Sequence, residues 1–223
     1  MTHGEGYIFT LLQSPWFIVG WAVLMLPSLW VVIRDMRLNN AHLMPLMKWV
    51  WALTVVYSGP LGLAVYWWSG RKDIPQDGPY RRAARSVAHC YSGCGAGEIV
   101  GLTLAVGVLA LGVTATALMT FAFAYAAGFV LTVGPLMQEG TKFSTAVKDA
   151  LYSETPSITV MEVVAIGVDL TLAGDAGPSQ VLFWSSMIVS LTCGLIAAYP
   201  VNVLLIRMGI KQGMMDPRQT HHG

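Results

Sequence analysis

"MKWVWALTVVYSGPLGLAVYWWS", Met47 to Ser69, carries a single charged residue, Lys48, near its start. About 20 apolar residues of helix cross a hydrocarbon core, so the stretch is long enough for one passage. Pro60 stands near its middle, and Trp67 and Trp68 close it, where indole rings favour the membrane–water interface. Read as one helix, it is the second of the chain's membrane spans. Every later loop takes its side of the membrane from it.

The rest of the chain supports that class. Of its 223 residues, 55% are hydrophobic and 11% charged, and the mean hydropathy is +0.58. An ordinary soluble domain is roughly 25% charged. The charges collect between apolar blocks, which are expected to form spans at about Pro15–Ile33, Met47–Ser69, Ser86–Leu111, Ala115–Met137, Pro156–Ala173 and Gln180–Met208, with Pro156 in a favoured first-turn position. The expected fold is an all-α polytopic bundle of six transmembrane helices. It forms a single domain, residues 1–223, with short loops and a mobile polar tail over about 209–223. His221 and His222 at its end read as solvated rather than metal-binding. The opening "MTHGEGYIFTLLQSPWF" lacks a basic n-region and a small-residue cleavage site, so the first block is expected to be retained.

Six spans put Arg71, Lys72, Arg81, Arg82, Arg85, Lys142, Lys148, Arg207, Lys211 and Arg218 on one side, and Arg34, Arg37 and Lys48 on the other. Positive residues in short loops stay inside. Both termini are therefore expected in the cytoplasm, in the inner (cytoplasmic) membrane of a bacterium. A net charge of +1 gives no electrostatic footprint for nucleic acid. Phosphate loops, dinucleotide fingerprints and hydrolytic triads are missing from the sequence, which leaves a conventional soluble-type enzyme as the weakest class.

Chemistry concentrates in "SVAHCYSGCGAGEIVG", Ser86 to Gly101. Residues four apart share a helix face, so Cys90, Cys94 and Glu98 form one stripe with His89 beside it. A disulfide between the two cysteines is awkward on a regular helix. Met161 and Glu162 in the fifth span, and Tyr199 and Asn202 in the sixth, are expected at a similar depth. Thiolate, imidazole and thioether donors select soft metals, with copper favoured and zinc or iron as alternatives. A His-Cys-x-x-x-Cys spacing with a nearby Met is also the vocabulary of binuclear copper electron-transfer centres, although those use two histidines on a β-sandwich loop. The competing readings are close helix packing through Gly93, Gly95 and Gly97, and a redox-active thiol pair.

Two further groups carry weight. His42, Met44 and Met47 in "NNAHLMPLMKW" are expected on the extracytoplasmic side, out of reach of Cys90. They either capture copper there or, the favoured reading, cover the bundle mouth. Asp169 lies two turns beyond Glu162, and with Lys48 and Arg207, both at span ends, the only Lys or Arg in any span, the two carboxyls lack an obvious partner and suit a proton or cation relay.

Four segments, "YSGPLGLAVYWWSGR", "HCYSGCGAGEIVG", "ITVMEVVAIGV" and the final "YPVNVLLIRMGIK", resemble the domain-of-unknown-function 4396 family of small bacterial membrane proteins, over about Lys48 to Met214. The resemblance implies a helical membrane fold. It draws attention to His89, Cys90, Cys94, Glu98, Glu162, Tyr199 and Asn202, while the Met-rich first loop and Asp169 depart from the family pattern. The expected function is a membrane copper–thiolate protein for electron transfer or copper handling. The alternatives are a small ion- or proton-coupled transporter using Glu98, Glu162 and Asp169, and a structural subunit of a membrane complex. Expected partners are the lipid bilayer, a redox partner or larger complex, and a second copy of the chain through the small residues of spans three and four.

Overall fold

The computed structural model describes residues 3–138, 140–214 and 216–218. Among them every regular element is a helix: α1 His3–Gln13, α2 Pro15–Leu38, α3 Pro45–Ser58, α4 Pro60–Ser69, α5 Pro79–Leu102, α6 Val113–Gln138, α7 Phe143–Ala173 and α8 Val181–Arg207. A π-helical turn, Thr103–Val108, continues α5. Proline opens α2, α3, α4 and α5, at the position where a missing N–H costs the helix nothing. Pro156 does not open a span as expected; it lies inside α7, which begins thirteen residues earlier at Phe143. The polar helical turns before Pro156 simply carry α7 beyond its apolar part.

Five helices are long and apolar enough to cross a membrane: Pro15–Leu38, Pro79–Val108, Val113–Gly134, Phe143–Ala173 and Val181–Arg207. The remaining expected span, the second, Met47–Ser69, folds back on itself. Gly59 takes φ 54° and ψ −128°, a conformation open to glycine and closed to side chains with a Cβ, and Pro60 then starts α4 in the opposite direction. Trp51 and Tyr66 would stand about 22 Å apart along one straight helix. Their rings instead meet edge to face with centroids 5.2 Å apart. Gly62 sits against Thr54 and Val55, and Gly70 against the Trp51 indole, so α3 and α4 are the two arms of a helical hairpin.

The hairpin tip reaches into the bundle, where Tyr57 packs against Tyr91 of α5, centroids 5.5 Å apart, and Gly59 lies under the Trp21 ring of α2. Backbone that turns inside a bilayer must be enclosed by protein. Around this turn Thr54 Oγ1 donates to Val50 O (2.8 Å), Ser58 Oγ to Thr54 O (2.6 Å) and Ser92 Oγ of α5 to Val50 O (2.8 Å).

Both feet of the hairpin therefore stand at one end of the molecule. Asp35 on α2 accepts hydrogen bonds from Tyr66 Oη (2.7 Å) on α4 and from Arg71 Nε (3.1 Å), and Asn40 Oδ1 accepts from the Lys72 N–H (2.8 Å). The expectation that loops 39–46 and 70–78 face opposite sides is overturned. The C-terminal segment lies at the hairpin's feet, where His42 Nε2 meets Pro217 O at 2.6 Å. The α1–α2 junction lies at the other end, a full 24-residue α2 away from Asp35 and Asn39, and Leu12 belongs to the same buried cluster as Ala173, Ala176 and Leu182.

α5 is the most enclosed helix, with seventeen buried residues. Gly93, Gly97 and Gly101 form a stripe four residues apart that lets the α6 backbone close in at Gly128, Ala124 and Thr120. Of the three glycines expected to serve close packing, Gly93 and Gly97 meet α6 in this way, while Gly95 meets the Tyr57 ring of α3. Met47 likewise joins the buried cluster of Val32, Met36, Val50 and Trp51, while Met44 caps α3 beside it.

Candidate functional site: a line of buried ionisable groups

The inward face of α7 repeats every three to four residues as Glu154, Ile158, Met161, Glu162, Ala165 and Asp169, all buried. By helical rise Glu154 and Asp169 are about 22 Å apart, most of a hydrocarbon core about 30 Å thick. Cys90, Cys94 and Glu98 of α5 run beside this face in the same direction. Together the two helices place ionisable or polar groups at each level of the bundle.

From the cationic end, which holds the hairpin's feet, Arg71, Arg85 and the C-terminal segment, the first level is Glu154, paired with Lys211 Nζ at 2.6 Å. His89 is next: its ring lies near Glu154 and Lys211, and its Nε2 is 3.3 Å from the Leu131 carbonyl of α6. The two thiols follow, 1% and 0% exposed, with their Sγ atoms 3.8 Å apart. Glu162 faces them, with Cys94, Cys90 and Glu98 as polar neighbours and neither carboxyl oxygen in a hydrogen bond. Glu98 keeps its Oε2 unpartnered and has Asp169 as its charged neighbour. Asp169 ends the line, accepting a 2.8 Å hydrogen bond from Ser186 Oγ on α8.

The residues singled out from sequence thus divide. Cys90, Cys94, Glu98, Glu162 and Asp169 come together along one axis. His89 does not join the thiols: consecutive helix positions are about 100° apart, so turning Cys90 inward directs His89 toward α6. Met161 packs on Gly194 of α8. Tyr199 and Asn202 lie closer to the cationic end, Tyr199 Oη 3.5 Å from the Tyr80 carbonyl and Asn202 bonded to Ser157 Oγ (2.5 Å) and Lys211 Nζ (2.9 Å). His42, Met44 and Met47 lie at the same end as the C-terminal segment, not opposite it. Among the described residues no group of three or more His, Cys, Asp and Glu side chains is arranged to hold a metal ion. His221 and His222 lie outside the described residues.

Three participants were missed in the sequence. Glu154 stands eight residues before Glu162 and extends the same face, a periodicity that was open to reading. Ser186 and Lys211 belong to elements whose packing no spacing reveals. The structure also shows that no Lys or Arg forms an ion pair with Glu98, Glu162 or Asp169 among the described residues.

No curated protein and no solved structure matches the chain. A family model, described as a domain of unknown function (DUF4396), matches residues 79–211, from the first residue of α5 to Lys211, and so takes in the whole buried line while leaving out the α3–α4 hairpin. The chain belongs to the DUF4396 family.

Proposed function

We propose that this protein moves protons, or a small cation coupled to them, across a lipid bilayer along the α5–α7 line. The observation that carries the reading is three buried carboxyl groups, Glu98, Glu162 and Asp169, on one axis with no cationic side chain paired to them among the described residues. Such a group inside a bilayer is held neutral by a proton or by a bound cation, and exchange of either between successive levels is transport. Cys90 and Cys94 bridge the level between Glu154 and Glu162, and Ser186 supports the far end. The five apolar helices suit a bilayer, which we assign to the cytoplasmic membrane of a bacterium.

The test is proton uptake by sealed proteoliposomes carrying a pH-sensitive dye and driven by a potassium diffusion potential. Wild-type protein acidifies the lumen faster than empty vesicles, and Glu162→Gln, the same shape without the exchangeable charge, falls to the empty-vesicle rate. Equal rates for wild type and Glu162→Gln would overturn the reading.

A second reading rests on the thiol pair. A tetrahedral ion bonded at about 2.3 Å to two sulfurs holds them roughly 3.8 Å apart, which is the separation of Cys90 and Cys94. Glu162 supplies the nearby oxygen donor, and a soft ion, copper before zinc or iron, suits the sulfurs. Under this reading elemental analysis finds copper in protein purified under reducing conditions and loses it in Cys94→Ser. Equal copper content in the two proteins counts against it.

A further inference from the structure

The segment after α8 does not trail away from the bundle as its composition suggests. Residues 208–214 and 216–218 lie across the cationic end of the molecule. Arg85 Nη2 of α5 donates to Met214 O (3.2 Å), and Pro217 O meets His42 Nε2 (2.6 Å). At Gly213, φ is 80°, and the backbone bends against Arg82 and Ile206. Arg218 wraps Asp216, with Nη2 2.6 Å from Oδ2, and holds that carboxyl below the ordinary aspartate range.

Within this strap one side chain turns inward. Lys211 is 7% exposed, although lysine normally keeps its ammonium in water. Its Nζ lies 2.6 Å from Glu154 Oε2 and 2.9 Å from Asn202 Oδ1. Asn202 is itself fixed, its Nδ2 donating to Ser157 Oγ (2.5 Å) and Ala198 O (3.0 Å), so its carbonyl oxygen is aimed at the ammonium. One oxygen acceptor from α7 and one from α8 thus take hydrogen bonds from a single positively charged group that comes from outside both helices. Glu154 is also the first acid of the buried line.

We propose that Glu154 and Asn202 form a binding site for an ammonium-like monovalent cation at the mouth of the line, and that Lys211 is its tethered occupant. This rests on the transport reading for its consequence, though not for its chemistry. With the Lys211 ammonium seated, Glu154 is committed to an ion pair and the mouth is closed. When the strap lifts, the same oxygens are free to receive a cation from solution. Tethering gives Lys211 a high effective concentration, so the seated state predominates.

Chemical rescue tests the site directly. Lys211→Ala removes the ammonium and its stem, leaving space for ethylammonium. Detergent-purified Lys211→Ala is expected to melt about 2–4 °C higher in saturating ethylammonium chloride than in choline chloride of equal ionic strength. Wild type, with its site filled, shows no such difference, and Lys211→Ala combined with Glu154→Gln loses it. In proteoliposomes, Lys211→Ala and Lys211→Gln raise proton flux severalfold over wild type, and ethylammonium lowers it again in Lys211→Ala. Stabilisation without flux in any of the proteins keeps the site and overturns the transport reading beneath it. Absence of the ethylammonium shift in a folded Lys211→Ala overturns the site. If neither Lys211→Ala nor Lys211→Gln can be recovered folded, Lys211 is a structural pin and the proposal falls.

Discussion

Single cysteines placed at Ala41 and Asp73 are expected to behave identically toward a membrane-impermeant maleimide, both protected in intact cells, while one at Ser179 is labelled. All three positions are solvent-facing, and the native cysteines lie within helices that cross the bundle. The expectation follows from the hairpin: α3 enters and α4 returns, so residues 39–44 and 70–78 meet at one end, held by the Asp35, Asn40, Tyr66 and Arg71 hydrogen bonds. It also changes the count of charges. With five crossings all thirteen Lys and Arg residues lie at one end: Arg34, Arg37 and Lys48 join the others through their neighbours Asp35 and Ala41, and none remains at the end holding Ser14, Pro178 and Asp175. The positive-inside bias predicts that this cationic end faces the cytoplasm, with the C-terminal segment inside and α1 outside. Labelling is all-or-none here. A chain with six crossings labels Ala41→Cys together with Ser179→Cys and leaves Asp73→Cys protected.

The second large effect is expected at Arg85. Its guanidinium is 1% exposed and its Nη2 lies 2.8 Å from both Asp77 oxygens, while Nη1 donates to Ser69 O at 2.9 Å. The same Nη2 reaches Met214 O in the strap. One residue of α5 thereby joins the end of α4, the loop before α5 and the C-terminal segment. Arg85→Met leaves the Asp77 carboxylate, itself 7% exposed, without its cation. Removing one partner of a buried ion pair costs about 3–5 kcal/mol, which for a chain of this size lowers the melting temperature by roughly 10 °C. Thermal unfolding of the detergent-solubilised protein measures it. A melting temperature within 2 °C of wild type, where 2–4 °C corresponds to about 1 kcal/mol, would show that the pair is not a structural joint. Adding Asp77→Leu to Arg85→Met is expected to recover part of the loss, because the stranded carboxylate is then gone.

Much of the candidate site was open to a reader of the sequence because it follows helical period. Cys90, Cys94 and Glu98 recur every four residues, Glu162 and Asp169 every seven, and both sets fall on the inward faces of α5 and α7. The same period accounts for His89 failing to join the thiols, a consequence drawn only once the direction of Cys90 was known. Lys211 was beyond such reasoning: a polar segment rich in Gly, Met and Gln carries no local signal that it folds back on the bundle, since its anchors, Glu154, Asn202, Arg85 and His42, lie between 9 and 175 positions away in the chain.

Composition and period by themselves determined that the chain is a helical bundle suited to a bilayer and which acids and thiols share a face, because hydrophobic length and the 3.6-residue turn are local properties. Whether Met47–Ser69 crosses or returns was a tertiary decision. Twenty-three apolar residues satisfy either geometry, and Gly59–Pro60 permits a turn without requiring one. The return is stabilised by partners distant in the chain, the Trp51–Tyr66 contact, the Ser92 hydroxyl at Val50, and the Asp35–Tyr66 and Asn40–Lys72 hydrogen bonds at the feet. Those contacts enclose a turn that lipid alone would leave unsatisfied, and through them one hairpin settles which end of the molecule every loop occupies.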